Sequence, residues 1–279
     1  MGLCQVCRTG GRNALKMSSP ENQPSLKQTT MPCAGLPAQG ALPADQIMKV
    51  LFIGNSQMGV YDLPGMMEAM ALSAPADHPR IEIGRGLIGG KGLAGFWEAG
   101  EGQGAPRAMI AAEKWDCVVI QEIYCANEVE VEKYAAMFDE LIRKSGSQTI
   151  LFATANVTQF YSAAFNYPAS FKKLNDMQIA FGKKRGIPVA AAGYAWMKYL
   201  GPHPAEEQIL DLYHKDKGHP GQKGTYIYAC LLYACITGLN PAGLTSEFKD
   251  IQGGIFIAQD EAAKMQQAAW EQYLESRNK

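Results

Sequence analysis

The chain lacks an excess of charge of either sign: 26 basic residues stand against 27 acidic ones, for a net charge of −1 over 279 residues. Such a balance offers no broad positive field to a phosphate backbone or an anionic bilayer, so neither nucleic acid nor a membrane is expected as a partner. Long apolar runs are scarce as well. A stretch such as Tyr226 to Thr237 falls well short of the ~20 residues that span a bilayer. The first 47 residues hold no continuous apolar segment of the kind a secretory signal needs, which leaves a cytoplasmic location as the default expectation. Paired cysteines are also missing. The seven present (Cys4, Cys7, Cys33, Cys117, Cys125, Cys230 and Cys235) are an odd number, mostly inside apolar stretches where a free thiol behaves as a small hydrophobe. Cys4-Gln-Val-Cys7 has metal-ligand spacing, but no second pair follows, and even with Cys33 as a distant third ligand no nearby His completes a tetrahedral set. No metal and no cofactor are expected.

What the chain does have is hydrophobic content of 47%, enough to fill the core of one sizeable α/β domain. Residues 1–45 mix Gly, Pro, Ser, Gln and Thr without periodicity and read as a flexible leader. The globular domain is expected over 46–279. Within it the run Lys49 to Ile53 stops at Gly54-Asn55-Ser56; a short, branched and aromatic run of this kind reads as a parallel strand buried on both faces. Met58 to Leu72 follows with helical spacing. Strands are also expected over 79–83, 115–122, 148–153 and 187–192, and helices over 130–144, 171–184, 194–199, 220–238 and 252–275. Five strands alternating with helices predict a parallel, doubly wound sheet covered on both faces, an α/β/α sandwich of three layers.

A strand, a sharp turn and a helix place Ser56 at the carboxyl edge of that sheet, where open α/β sheets carry their chemistry. The hydroxyl there can be a nucleophile or simply a helix N-cap. Five glycines between Gly84 and Gly92 indicate tight turns or close approach to a ligand. They do not make a P-loop, since Lys91 is followed by Gly92, and Gly84, Gly86 and Gly89 match a dinucleotide fingerprint only on paper.

Far downstream, an Asp precedes a His by three residues twice, as Asp211 with His214 and as Asp216 with His219. A carboxylate so placed can take the ring Nδ1 proton and turn Nε2 outward as a base. The second pair is preferred, because Pro220 starts a helix whose continuation is almost wholly apolar and therefore buried, a rigid support for the loop. His214, by contrast, lies beside Lys215 in what reads as an exposed turn.

Gly54-Asn55-Ser56, the glycine-rich second block, and Asp216-Lys-Gly-His219-Pro220 together resemble the SGNH (GDSL-type) hydrolases, and specifically their DUF4886-like branch, over roughly Met48 to Leu239. The resemblance implies a flavodoxin-like α/β/α sandwich on a five-stranded parallel sheet, with Ser56 as nucleophile, His219 as general base and Asp216 as its orienting partner. It also implies an oxyanion hole built from the N–H of Ser56, a glycine N–H of the second block, for which Gly90 is preferred and Gly89 is the alternative, and an asparagine side chain of a third block. That block departs from the pattern. The sequence reads Gln121-Glu122-Ile123-Tyr124-Cys125-Ala126-Asn127, so Gln121 is the expected amide donor, with Asn127 as the alternative. Asn55 stands where the family carries aspartate and is given a turn role. The implied activity is that of a serine esterase acting through an acyl-enzyme on a small-molecule or carbohydrate-borne ester such as an O-acetyl group. The alternative is a non-catalytic SGNH-fold binding protein whose oxyanion hole is altered.

Overall fold

Branched and aromatic side chains at successive positions leave β1 (Ile47–Gly54) no solvent face, and it is buried from Val50 to its end. A computed structural model describes residues 47–123, 127–155 and 166–277; the expected leader, with Cys4, Cys7 and Cys33, lies outside the described residues, as does Cys125. In chain order, β1 is followed by α1 (Ser56–Gly59), α2 (Leu63–Ser73), β2 (Arg80–Leu87), α3 (Leu93–Glu98), α4 (Pro106–Ala112), β3 (Cys117–Gln121), α5 (Glu128–Lys144) and β4 (Gln148–Ala153). Then come α6 (Ala169–Arg185), β5 (Val189–Ala191), α7 (Ala192–Leu200), α8 (Glu206–Leu210), α9 (Gln222–Thr237), the two-residue strands β6 (Glu247–Phe248) and β7 (Ile255–Phe256), and α10 (Gln259–Arg277).

The main sheet has five strands in the order β2-β1-β3-β4-β5, and every pairing is parallel. Alternate side chains of a strand point to opposite faces, and the two cores follow from that. Val50, Phe52, Val119 and Phe152 meet α2, α7, α9 and α10 on one face, while Leu51, Ile53, Val118, Ile120 and Leu151 meet residues of α3, α4, α5 and α6 on the other. This is the doubly wound α/β/α sandwich expected from the sequence. Among the described residues no helix is long and apolar enough to cross a membrane.

Three local readings change. The single helix expected over 58–72 is two, broken at Asp62, whose backbone is left-handed (φ 40°) and whose side chain caps α2 through the Gly65 N–H at 3.1 Å. The glycine-rich block is not all turn: Gly84 and Gly86 lie within β2, opposite Leu51 and Ile53. A Cβ on Gly84 would come within 2.4 Å of the Trp115 ring, so this glycine serves sheet packing, and the dinucleotide fingerprint dissolves into a strand. At the C-terminus Gln252 adopts a left-handed backbone (φ 36°) and the β6–β7 pair follows from it, so the last helix starts at Gln259 rather than at 252.

Helix α9 is buried on every side from Gly224 to Ile236. It seats against the segment before it so closely that a Cβ on Gly224 would lie 2.2 Å from the Leu212 carbonyl oxygen. That contact fixes the loop between residues 212 and 221 to the body of the domain.

Candidate active site

The turn after β1 is built by three adjacent residues. Gly54 is required by space, since a Cβ there would meet the Met58 sulfur at 2.5 Å. Asn55 is the N-cap of α1 and accepts the Gln57 N–H at 2.9 Å, and its Nδ2 donates to the Lys91 carbonyl at 2.8 Å. The turn role expected of Asn55 is thus extended by a tether to the second block. Because the asparagine performs the cap, Ser56 is the first residue of the helix rather than its cap, and its half-buried hydroxyl is left for other contacts.

The loop carrying His219 is closed by its own backbone. The His214 N–H donates to the His219 carbonyl at 2.8 Å, and the Gly221 N–H donates to the Leu212 carbonyl at 2.8 Å. One side chain crosses to it from the serine turn: Gln57, buried, donates through Nε2 to the Gly218 carbonyl at 2.8 Å. The two segments are 163 residues apart in the chain, yet His219 Nε2 lies 2.9 Å from Ser56 Oγ. On the other side of the ring, His219 Nδ1 lies 2.8 Å from Asp216 Oδ2.

Asp216 is anchored in turn. Its Oδ1 accepts the backbone N–H groups of Gly218 at 2.8 Å and of His219 at 3.0 Å. A second imidazole, that of His214, stands with Nδ1 3.1 Å from Asp216 Oδ2. Partial burial opposes ionisation of this carboxyl, but the donors from Gly218, His219 and His214 outweigh it and hold the group well below the usual carboxylate range. An ionised carboxylate at this position keeps the His219 proton on Nδ1 and leaves Nε2 to face the serine.

The second block forms a turn over residues 88–91 in which Gly90 has a left-handed backbone (φ 70°). Gly89 and Gly90 are exposed and open space surrounds both. The Ile88 N–H donates to the Gly54 carbonyl at 2.9 Å, which sets the turn directly beside Ser56.

The third block differs from expectation. Gln121 is completely buried; its Oε1 accepts the Asn55 N–H at 3.0 Å and its Nε2 donates to the Glu122 carbonyl. It braces the serine turn from below instead of presenting an amide at the open face. Asn127 is the N-cap of α5 and forms a capping box with Glu130, accepting its N–H at 3.0 Å and donating Nδ2 to its carboxylate at 3.0 Å. Its amide is therefore engaged at a helix end.

Three site-forming residues escaped the sequence reading: Gln57, His214 as a second partner of Asp216, and Glu122. For Glu122 a signal existed, a charged residue at the end of an otherwise apolar strand. It is buried, and its Oε1 accepts the N–H groups of Leu93 at 3.0 Å and Ile123 at 2.6 Å. Burial pushes its carboxyl up to about 7 in spite of the Ile123 and Leu93 donors, and Glu130 adds to the rise. Among the described residues no group of His, Cys, Asp and Glu is arranged to hold a metal ion.

No family model and no curated protein matches the sequence. Solved structures do. A DUF4886 family protein from Bacteroides uniformis superposes with a TM-score of 0.62 at 16% identity, covering 82% of this chain and 95% of its own. A proposed SGNH hydrolase from Slackia heliotrinireducens gives 0.55 at 19% identity over 70% of this chain and 100% of its own. An acetyl xylan esterase gives 0.52 at 14% identity over 68% of this chain and 100% of its own. With its five parallel strands, its helical layers on both faces and these neighbours, the chain has the SGNH hydrolase fold.

Proposed function

We propose that this protein is a serine esterase that cleaves a small or carbohydrate-borne ester, of which an O-acetyl ester is the simplest, through an acyl-enzyme. The observation that carries the proposal is the unbroken chain from Ser56 Oγ to His219 Nε2 at 2.9 Å and from His219 Nδ1 to Asp216 Oδ2 at 2.8 Å. In this mechanism His219 takes the Ser56 proton as the oxygen attacks the ester carbonyl. The imidazolium, stabilised by Asp216, then returns that proton to the departing alcohol. Water repeats the sequence and frees the acid and the serine.

The tetrahedral oxyanion needs preorganised donors. Ser56 begins α1, and the first N–H groups of a helix have no acceptor within it. In this proposal the exposed turn at Gly89 and Gly90, tied to the Gly54 carbonyl through the Ile88 N–H, supplies the other N–H groups. Since Gln121 and Asn127 are engaged elsewhere, backbone N–H groups form the hole in this proposal. The ester hydrolase reading also draws support from the fold shared with an acetyl xylan esterase.

The test is release of p-nitrophenol from acetyl and butyryl esters by the wild type, Ser56→Ala and His219→Ala, together with labelling by a fluorophosphonate. Turnover and labelling in the wild type, with a loss of roughly 10⁴-fold or more in either variant, are expected. Equal turnover in wild type and Ser56→Ala would refute the assignment. A wild type that neither turns over esters nor takes the label would leave a binding protein on the same scaffold.

A further inference from the structure

The Ile88–Lys91 turn stands on two feet. One is the backbone bond from Ile88 N–H to the Gly54 carbonyl. The other is made by side chains: Asn55 Nδ2 holds the Lys91 carbonyl at 2.8 Å, and two residues later the Leu93 N–H reaches Glu122 Oε1 at 3.0 Å. Gly92, between them, is the N-cap of α3 and has no side chain to accept a helix N–H. The carboxyl oxygen arriving from the end of β3 performs that task. It also takes the Ile123 N–H at 2.6 Å, so one buried oxygen ties the second block to the third. Gly92 is a glycine for this reason, since a Cβ there would lie 2.0 Å from Glu122 Oε1. Among the described residues Glu122 has no cationic partner, and the donors it meets there are these backbone N–H groups.

We infer that Glu122 is a positioning residue for acyl transfer, an acceptor that pins the second block against β3 and so aims the N–H groups of Gly89 and Gly90 at the oxyanion beside Ser56. The inference rests on the esterase reading above. It also accounts for a site without the third-block asparagine: the third block here contributes an acceptor that orients donors, in place of a donor. Because the turn acts on the charge that develops during reaction, its displacement affects turnover more than substrate binding.

The experiment compares Glu122→Gln, which keeps a carbonyl oxygen in the same place, with Glu122→Leu, which removes it, and with Gly92→Ala, which drives the carboxyl away. Steady-state kinetics on the best p-nitrophenyl ester are read beside hydrogen exchange of the Leu93 amide. Glu122→Leu and Gly92→Ala are expected to lose about 100-fold in kcat, with KM changed less than about threefold. Leu93 should then exchange at least about tenfold faster in both. Glu122→Gln should stay within about fivefold of wild type in kcat and keep the protection of Leu93. An active wild type whose kcat survives Glu122→Leu overturns the inference and leaves the esterase reading intact, as does unchanged Leu93 exchange in that variant or a Glu122→Gln as damaged as Glu122→Leu. An inactive, unlabelled wild type would instead defeat the esterase reading itself.

Discussion

The loop that presents His219 and the turn that carries Gly89 and Gly90 are both tied to the serine turn, the first at Ser56 and the second at Gly54 and Asn55, but are held by different physics. The His219 loop is closed by backbone bonds within itself and seated on α9, a helix buried on every side. The glycine turn lies on an exposed rim and owes much of its position to buried polar side chains, Asn55 and Glu122, that reach it from neighbouring strand ends. Apolar packing is non-directional, whereas a hydrogen bond fixes one group in one place and is costly when lost in a buried setting. The His219 loop is therefore set largely by its own bonds and the core, and the glycine turn by a few polar contacts from outside it, so the two regions should fail in different ways under substitution.

The largest effect should come from the base side. Asp216→Asn leaves the loop bonds of Gly218 and His219 an acceptor but removes the charge that fixes the imidazole, and kcat/KM should fall by roughly 10³ to 10⁴. A smaller activity loss than that of Glu122→Leu would show that the two regions do not divide as described. A change in thermal midpoint of only a few degrees, followed by circular dichroism, would separate this from unfolding.

Next comes the pH response of the glycine-turn side. The Glu122 carboxyl is raised from 4.5 to about 7 in the folded protein, chiefly by burial. A raised pKa favours the protonated folded state, so the stability it contributes is complete below pH 4.5 and declines as pH rises to 7. Urea titrations of wild type and Glu122→Gln at pH 4.5 and pH 8 should show the variant gaining about 3 kcal/mol on the wild type between the two. A constant difference across that range would mean that the carboxyl titrates as it does in the unfolded chain.

The smallest effect tests the seat of the His219 loop. In Gly224→Ala the added methyl meets the Leu212 carbonyl and the Trp196 ring, and overpacking of this kind should cost about 1–3 kcal/mol. The loop and His219 should shift with α9, so activity at low temperature should fall as well. Full activity and full stability would show that the loop does not depend on the helix.

Much of this was legible in the linear order of residues. The β1 run and its abrupt stop at Gly54-Asn55-Ser56, the order of the later strands, and the Asp216–His219 spacing before an apolar helix all rest on local patterns that survive in sequence. The third block was not legible. Gln121 and Asn127 are both amides close to the end of β3, and nothing local distinguishes a donor at the open face from a brace beneath the turn or a helix cap. Glu122 stood out only as a charged residue ending an apolar strand, and its role was hidden because its partner Leu93 opens α3, 29 residues earlier in the chain.

The sequence alone determined the doubly wound sheet and the candidates for nucleophile, base and orienting carboxylate, since apolar periodicity and short-range spacing are properties of neighbouring residues. Only the tertiary structure decided that His219 meets Ser56, that His214 shares Asp216, and that Gln121 braces while Glu122 tethers. Those contacts join strand ends and loops as far as 163 residues apart. Which polar atom finds which partner there depends on how the helices and strands pack, a long-range outcome that local pattern does not encode.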